Sequence, residues 1–167
     1  MTPAREVQFQ ELMEAHRKIL YKVCNSYCRN RDDREDLAQE ISVQLWRSFE
    51  SFDGRCKFST WMYRVALNVA ISFYRRESTR TRFVLSDSEQ VLDAADGRAT
   101  PSAEMEMLYE YIGGLEPLNK ALILLYLDGH SYAEIADVLG IGESNVATKI
   151  SRLKQMMRER LSGTARV

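Results

Sequence analysis

Between Ser131 and Leu161 apolar residues recur every three or four positions, broken only by Gly140-Ile141-Gly142. That spacing with that interruption leaves little room for anything but two helices joined by a tight turn. Ser131 and Glu134 have the spacing of a capping box, and Ile135, Ala136 and Leu139 form the apolar face of the first helix. In the second helix Val146, Ile150, Leu153 and Met157 mark the inward side. Asn145, Thr148, Lys149, Ser151, Arg152 and Lys154 therefore fall on the remaining faces, where they can approach DNA phosphates and base edges. From Asn145 to Val167 six basic residues (Lys149, Arg152, Lys154, Arg158, Arg160 and Arg166) stand against one acid, Glu159. The pattern predicts a helix-turn-helix with a basic exit helix.

The rest of the chain is helical by the same criterion, and no strand candidate exceeds a few residues. Phe9, Leu12, Met13, Ile19, Leu20, Val23 and Tyr27 fit one long amphipathic helix, with a break allowed, and Leu37, Ile41, Leu45 and Phe49 fit another. A short loop from Ser51 to Lys57 carries Asp53-Gly54. Phe58 to Tyr74 is apolar nearly all round and is expected to be mostly buried. Thr79 to Thr100 is rich in Ser, Asp, Gly and Thr without a sustained period, although a short helix can form near Glu89 to Ala95. A second block holds helices over Ala103 to Ile112 and Leu118 to Leu127, followed by the helix-turn-helix. The expected fold class is all-α: two small helical domains, residues 1–78 and 102–167, joined by a flexible acidic linker over 79–101.

Net charge is only -1, so any affinity for nucleic acid must come from local asymmetry. Asp53 to Arg82 holds seven basic residues and two acids, whereas Asp32 to Asp36 holds four acids and one arginine. Three cysteines in a chain without an export signal argue against a disulfide framework. Cys24 and Cys28 are read as buried apolar residues and Cys56 as a loop thiol. With only His16 and His130 available, no zinc set has normal spacing. No metal and no cofactor is expected. There is no glycine-rich phosphate loop, HExxH or nucleophile elbow, which excludes the common enzyme classes, and no stretch fit for membrane insertion. A cytoplasmic location is expected.

Several motifs carry a family resemblance. Asp33-Arg34-Glu35-Asp36-Leu37-Ala38-Gln39-Glu40 resembles a D-x-x-D-L-x-Q-E run. Ser51-Phe52-Asp53-Gly54 with Phe58-Ser59-Thr60-Trp61-Met62-Tyr63-Arg64-Val65-Ala66-Leu67-Asn68 resembles F-x-G…F-x-T-W-L-Y-R-I-A-x-N, and Tyr132-Ala133-Glu134-Ile135-Ala136 with Leu139-Gly140-Ile141 and Val146 resembles Y-x-E-I-A…L-G-I…V. Together, over about Leu20 to Leu161, they resemble the extracytoplasmic-function (ECF) sigma factors, the smallest members of the bacterial sigma-70 family. The resemblance implies a transcription initiation factor that binds core RNA polymerase at its clamp helices and flap, with promoter DNA as its second partner and an anti-sigma factor as an inhibitor. The alternative is a regulator that binds DNA as a dimer through the second block, without polymerase.

The residues divide into three candidate surfaces. Asn145, Thr148, Lys149, Ser151, Arg152 and Lys154 serve the upstream promoter element, each good bidentate base contact contributing ~1–3 kcal/mol of discrimination. Phe52, Lys57, Arg64, Asn68, Arg75 and Arg76 serve melting and capture of the downstream element, where stacking contributes roughly 1–3 kcal/mol per base. Asp36, Gln39, Glu40, Gln44 and Trp46 face polymerase by family resemblance; read from the residues alone, this acidic stretch is a solvated helix start that complements the dipole. Asn68, an amide amid apolar residues, needs either a structural hydrogen bond or a flipped base, and the family motif points to the base. Trp61 reads as core, and Arg75 and Arg76 fit either phosphate contact or a charged helix end.

Three departures from the family pattern bear on promoter choice: Ala147 where a basic residue is common, Gly142 at the N-cap of the second helix, and Asp53 beside Phe52. The linker sets a geometric condition. The 22 residues from Thr79 to Thr100 span ~25 Å as a free coil and ~70 Å extended. Promoter elements one to two helical turns apart are separated by ~34–68 Å. A larger partner is therefore expected to hold the linker stretched, and the free chain is expected to bind promoters poorly. Asp87, Glu89, Asp93 and Asp96 give that linker the charge either of a nucleic-acid mimic or of an ordinary solvated connection.

Overall fold

Thr2 begins the first helix by accepting a hydrogen bond from the Arg5 amide (3.4 Å), with Pro3 in the first turn where a missing N–H costs nothing. The computed structural model describes residues 1–81 and 102–164, and the chain forms two compact units within residues 1–100 and 101–167. Among the described residues there is no strand. The region expected to hold a short helix near Glu89 to Ala95, and the linker acids, lie outside them.

The first unit contains α1 (Pro3–Ala15), α2 (Arg17–Tyr27), α3 (Arg31–Ser48), a 3-10 turn (Phe49–Ser51) and α4 (Phe58–Thr81). The long N-terminal helix expected from the apolar period is two helices, divided at His16, whose backbone leaves the helical region (φ -117°, ψ 16°). No proline forces the break. The His16 ring bonds the Leu12 carbonyl through Nδ1 at 2.9 Å, beside the His16 amide that bonds the same oxygen at 3.1 Å, and packs against the Phe58 ring. Asn30 caps α3 by accepting from the Asp33 amide (2.8 Å), and Asp32 and Asp33 place negative charge at the positive end of the dipole. Leu37, Ile41 and Leu45, all fully buried, turn one stripe of α3 inward against α4, which also packs on α2.

α4 differs from expectation. Phe58, Met62, Tyr63, Ala66, Leu67, Ala70 and Phe73 are buried, but Val65 and Val69 are only half-buried and Asn68 and Ser72 are exposed. Its apolar content is spread around the helix, yet α2 and α3 cover only one broad side. The opposite side is open, and the helix runs to Thr81, past the expected domain end at residue 78.

The second unit contains α5 (Ala103–Gly113), α6 (Pro117–Leu127), α7 (Tyr132–Leu139) and α8 (Glu143–Thr164). Ala121 to Leu125 of α6 are buried without interruption, as suits a short helix enclosed by its neighbours α7 and α8. The Tyr111 hydroxyl donates to the Leu153 carbonyl at 3.1 Å within the core and ties α5 to α8.

Candidate nucleic-acid interface

The turn before α8 decides which side of that helix is offered to solvent. The Ser131 hydroxyl accepts from the Glu134 amide and donates to the Glu134 carboxylate, both at 3.1 Å, so the side-chain half of the expected capping box closes on the hydroxyl. Gly140 ends α7 in the left-handed region (φ +68°), a backbone that a Cβ would strain. The Ile141 amide then returns to the Ala136 carbonyl (3.1 Å), and the Gly142 carbonyl receives the first bond of α8 from Val146 (3.0 Å). Val146, Ile150 and Leu153 point into the core. Asn145, Thr148 and Arg152 share the exposed side opposite them, with Ser144 and Gln155, which the sequence reading did not single out, on the same side. Ser151 is exposed on the same side, next to Ser144.

The two lysines do not join that face. Lys149 lies half-buried on one flank, and Lys154 lies on the other, with its Nζ 5.2 Å from the centroid of the Tyr126 ring. Thr148 donates its hydroxyl to the Ser144 carbonyl at 3.0 Å, leaving its methyl and oxygen lone pairs outward.

In the first unit the aromatic residues gather where α3 ends and α4 begins. Phe49 is fully buried beneath Phe52 and Trp61, which are half-buried and stand 5.2 Å apart between ring centroids with a 43° tilt. Trp61 was expected to be core; it is part core and part surface. From Trp61 the open side of α4 continues at helical spacing through half-buried Arg64, exposed Asn68 and exposed Arg75. Exposed Asn68 can reach water, so the structural hydrogen bond that a buried amide demands is not required. Lys57 is exposed at the start of this row. The Asp53 carboxylate accepts from the Arg55 amide and pairs with its Nε, each at 3.0 Å, so the acid beside Phe52 is answered locally. Gly54, at φ +77°, permits that tight turn.

Arg76 stands apart from the row. Its Nη2 is 2.6 Å from Glu40 Oε1, and its guanidinium carbon is 5.7 Å from the Phe73 ring centroid, so it bridges α4 to α3. The same bridge removes Glu40 from the outward side of α3. Gln44 occupies that flank too and donates to the Ser48 hydroxyl at 3.2 Å. Asp36, Gln39 and Trp46 do share the outward side, together with Val43, which is 43% exposed and which sequence reasoning passed over. Trp46 meets Phe9 edge-on at 5.2 Å. Of the five candidates on α3, three lie together.

Cys24 and Cys28 are buried and Cys56 is half-buried in the loop; burial pushes the Cys24 thiol up to about 12. Among the described residues no three potential ligands cluster to hold a metal, and no helix is long and apolar enough to cross a membrane.

Residues 12–80 match the family model for sigma-70 region 2, and residues 105–157 match that for sigma-70 region 4. The ECF RNA polymerase sigma-E factor of Haemophilus influenzae is 30% identical over 144 residues, covering 79% of this chain and 76% of that protein. The chain belongs to the ECF sigma factors of the sigma-70 family. A second relative of this sigma factor, the ECF RNA polymerase sigma factor SigX of Bacillus subtilis, is 27% identical and covers 93% of this chain and 84% of its own length. In fold, it resembles the sigma factor RpoE of Bartonella quintana, solved with the anti-sigma factor NepR (TM-score 0.73, 19% identity, 92% of this chain and 95% of that one). It also resembles CnrH, solved with the cytosolic domain of CnrY (TM-score 0.66, 23% identity, 95% and 90% covered).

Proposed function

We propose that this sigma factor divides its work among three surfaces: the outward side of α8 for the upstream promoter element, the Phe52–Trp61 shelf with the open side of α4 for the melted downstream strand, and the outward side of α3 for the polymerase clamp. The observation that carries the reading is the continuity of the second surface. Two half-buried rings, tilted to one another, offer apolar faces at one end, and Arg64, Asn68 and Arg75 extend from them along one helix face. An unstacked base needs a ring to lie against, an amide to read its edge and cations along the phosphates. That order of groups supplies all three.

On α8, Asn145, Thr148, Ser151 and Arg152 read base edges, while Lys149 and Lys154 reach only phosphates or the groove margin. On α3, Asp36, Gln39, Val43 and Trp46 form the polymerase contact, and the Glu40–Arg76 pair links α3 to α4 beside it. Arg76 belongs to that bracket and not to the strand-binding row. We further infer a region 2 domain over residues 1–78, a linker over 79–101 that is stretched on polymerase, a region 4 domain over 102–167, a cytoplasmic location, and an inhibitory protein of the anti-sigma class as partner. The chain performs no covalent chemistry; its effect on rate is the binding energy it spends on opening DNA.

The test is holoenzyme reconstituted from core polymerase and this chain. Phe52→Ala and Asn68→Ala are expected to keep core affinity and lose open-complex formation, read by permanganate reactivity of unpaired thymines. Unchanged reactivity in both variants would contradict the proposed surface.

A further inference from the structure

Arg5 lies outside the stretch that matches the region 2 model, which starts at residue 12, and belongs to neither unit of recognisable motif. Its side chain nevertheless reaches across more than forty residues to the loop that carries Phe52. Nη2 donates to the Phe49 carbonyl (3.0 Å) and to the Phe52 carbonyl (2.7 Å), Nη1 donates to Gln8 Oε1 (2.9 Å), and the guanidinium carbon lies 4.3 Å from the centroid of the Phe49 ring. Phe9, one turn further along α1, packs edge-on against the same Phe49 ring at 5.0 Å.

Those contacts fall where the 3-10 turn ends and the chain becomes extended. After Ser51 the chain leaves the 3-10 turn; the Phe52 amide still bonds the Phe49 carbonyl (3.1 Å), but Phe52 itself is extended (ψ 112°) and its carbonyl precedes the Asp53-Gly54 turn. One cation holds the first and last carbonyl of this exit, which sets the direction in which the Phe52 ring leaves the backbone. A planar guanidinium suits the task because it donates in fixed directions while its face covers a ring; a lysine ammonium does not.

We propose that Arg5 is a positioning residue for base capture: it touches no DNA and acts by fixing the carbonyl frame that aims Phe52 beside Trp61. The inference rests on the strand-capture reading above. Holding an aromatic platform in one orientation spares the cost of ordering it on binding, so loss of the clamp should be felt in the capture step and not in polymerase or duplex binding.

The experiment uses holoenzyme and a set of fork promoters in which single bases of the unpaired downstream strand are replaced by abasic sites. Wild type should lose roughly tenfold in affinity at the captured position, the value of one stacked base. Arg5→Ala should bind the intact fork roughly tenfold more weakly and show almost no further loss at that abasic site, with affinity for core polymerase unchanged. Arg5→Lys, which keeps the charge and is less disruptive to folding, should fall between the two. A variant that only loosens the fold would lower the melting temperature and core affinity while retaining the full abasic penalty, and that result overturns the role of Arg5 alone. A wild type with no abasic penalty at any position overturns strand capture itself, and this inference with it.

Discussion

Arg152 and Lys154 are two cations two residues apart on α8, and their surroundings predict opposite consequences of removing them. Arg152 is exposed on the side opposite Val146, Ile150 and Leu153, whereas Lys154 is half-buried on a flank with Nζ 5.2 Å from the Tyr126 ring centroid. If Arg152 makes a bidentate base contact, Arg152→Ala removes ~1–3 kcal/mol of discrimination at that base pair. At 1.4 kcal/mol per decade this is roughly 5- to 150-fold. Lys154→Ala removes at most one phosphate contact and a cation–π pair of about 0.5–1 kcal/mol that belongs to region 4 stability. The assay is holoenzyme affinity for the cognate promoter and for single-base variants of its upstream element, repeated over a salt series. Arg152→Ala should flatten the preference at one position. Lys154→Ala should leave the preference intact, reduce the salt slope by about one at most and lower the melting temperature slightly. Equal loss of base preference in the two variants would refute the assignment of faces.

The fold makes further predictions. Leu67→Ala, at a fully buried position of α4, should cost about 2–5 kcal/mol and lower the thermal transition of region 2 while leaving that of region 4 in place, as read by calorimetry. Gly140→Ala should cost roughly 1 kcal/mol in chemical denaturation, since its φ of +68° disfavours a Cβ although nothing lies within 4 Å to clash with one. Because burial raises the Cys24 thiol to about 12, its thiolate is scarce at pH 8; in the native protein Cys56 should react first with iodoacetamide at that pH, and all three thiols should react in denaturant. Three equally fast thiols in the native state would contradict the packing of α2.

What was legible in the sequence was whatever local spacing encodes. The first part of the inward stripe of α8, the Ser131 cap and the Gly140 turn are all written within eight or so residues and stand where the pattern predicted, while Met157, expected on the same inward side, is only half-buried near the end of the helix. The unread features depend on partners distant in the chain. Arg5 reaches Phe49 and Phe52, and Glu40 meets Arg76, through contacts that no period reports. The open side of α4 was misjudged for a related reason: Val65 and Val69 look like core, but whether an apolar residue is covered depends on how many helices pack around it. The break at His16 has no proline or glycine to announce it; a side-chain bond to the Leu12 carbonyl marks the place. Of the six candidates on α8, Asn145, Thr148, Ser151 and Arg152 are exposed on the outward side, whereas Lys149 and Lys154 lie on its flanks, and spacing alone does not report that Tyr126 stands beside Lys154.

The central claim is that two DNA-binding surfaces on separate units work together only on polymerase. Footprinting this chain on one promoter, alone and with core polymerase, tests it most directly. The account predicts weak, unspecific protection by the chain alone, and with core polymerase a joint footprint over both elements with reactive thymines in the downstream one. A strong, palindromic footprint by the chain alone, unchanged when polymerase is added, would contradict it.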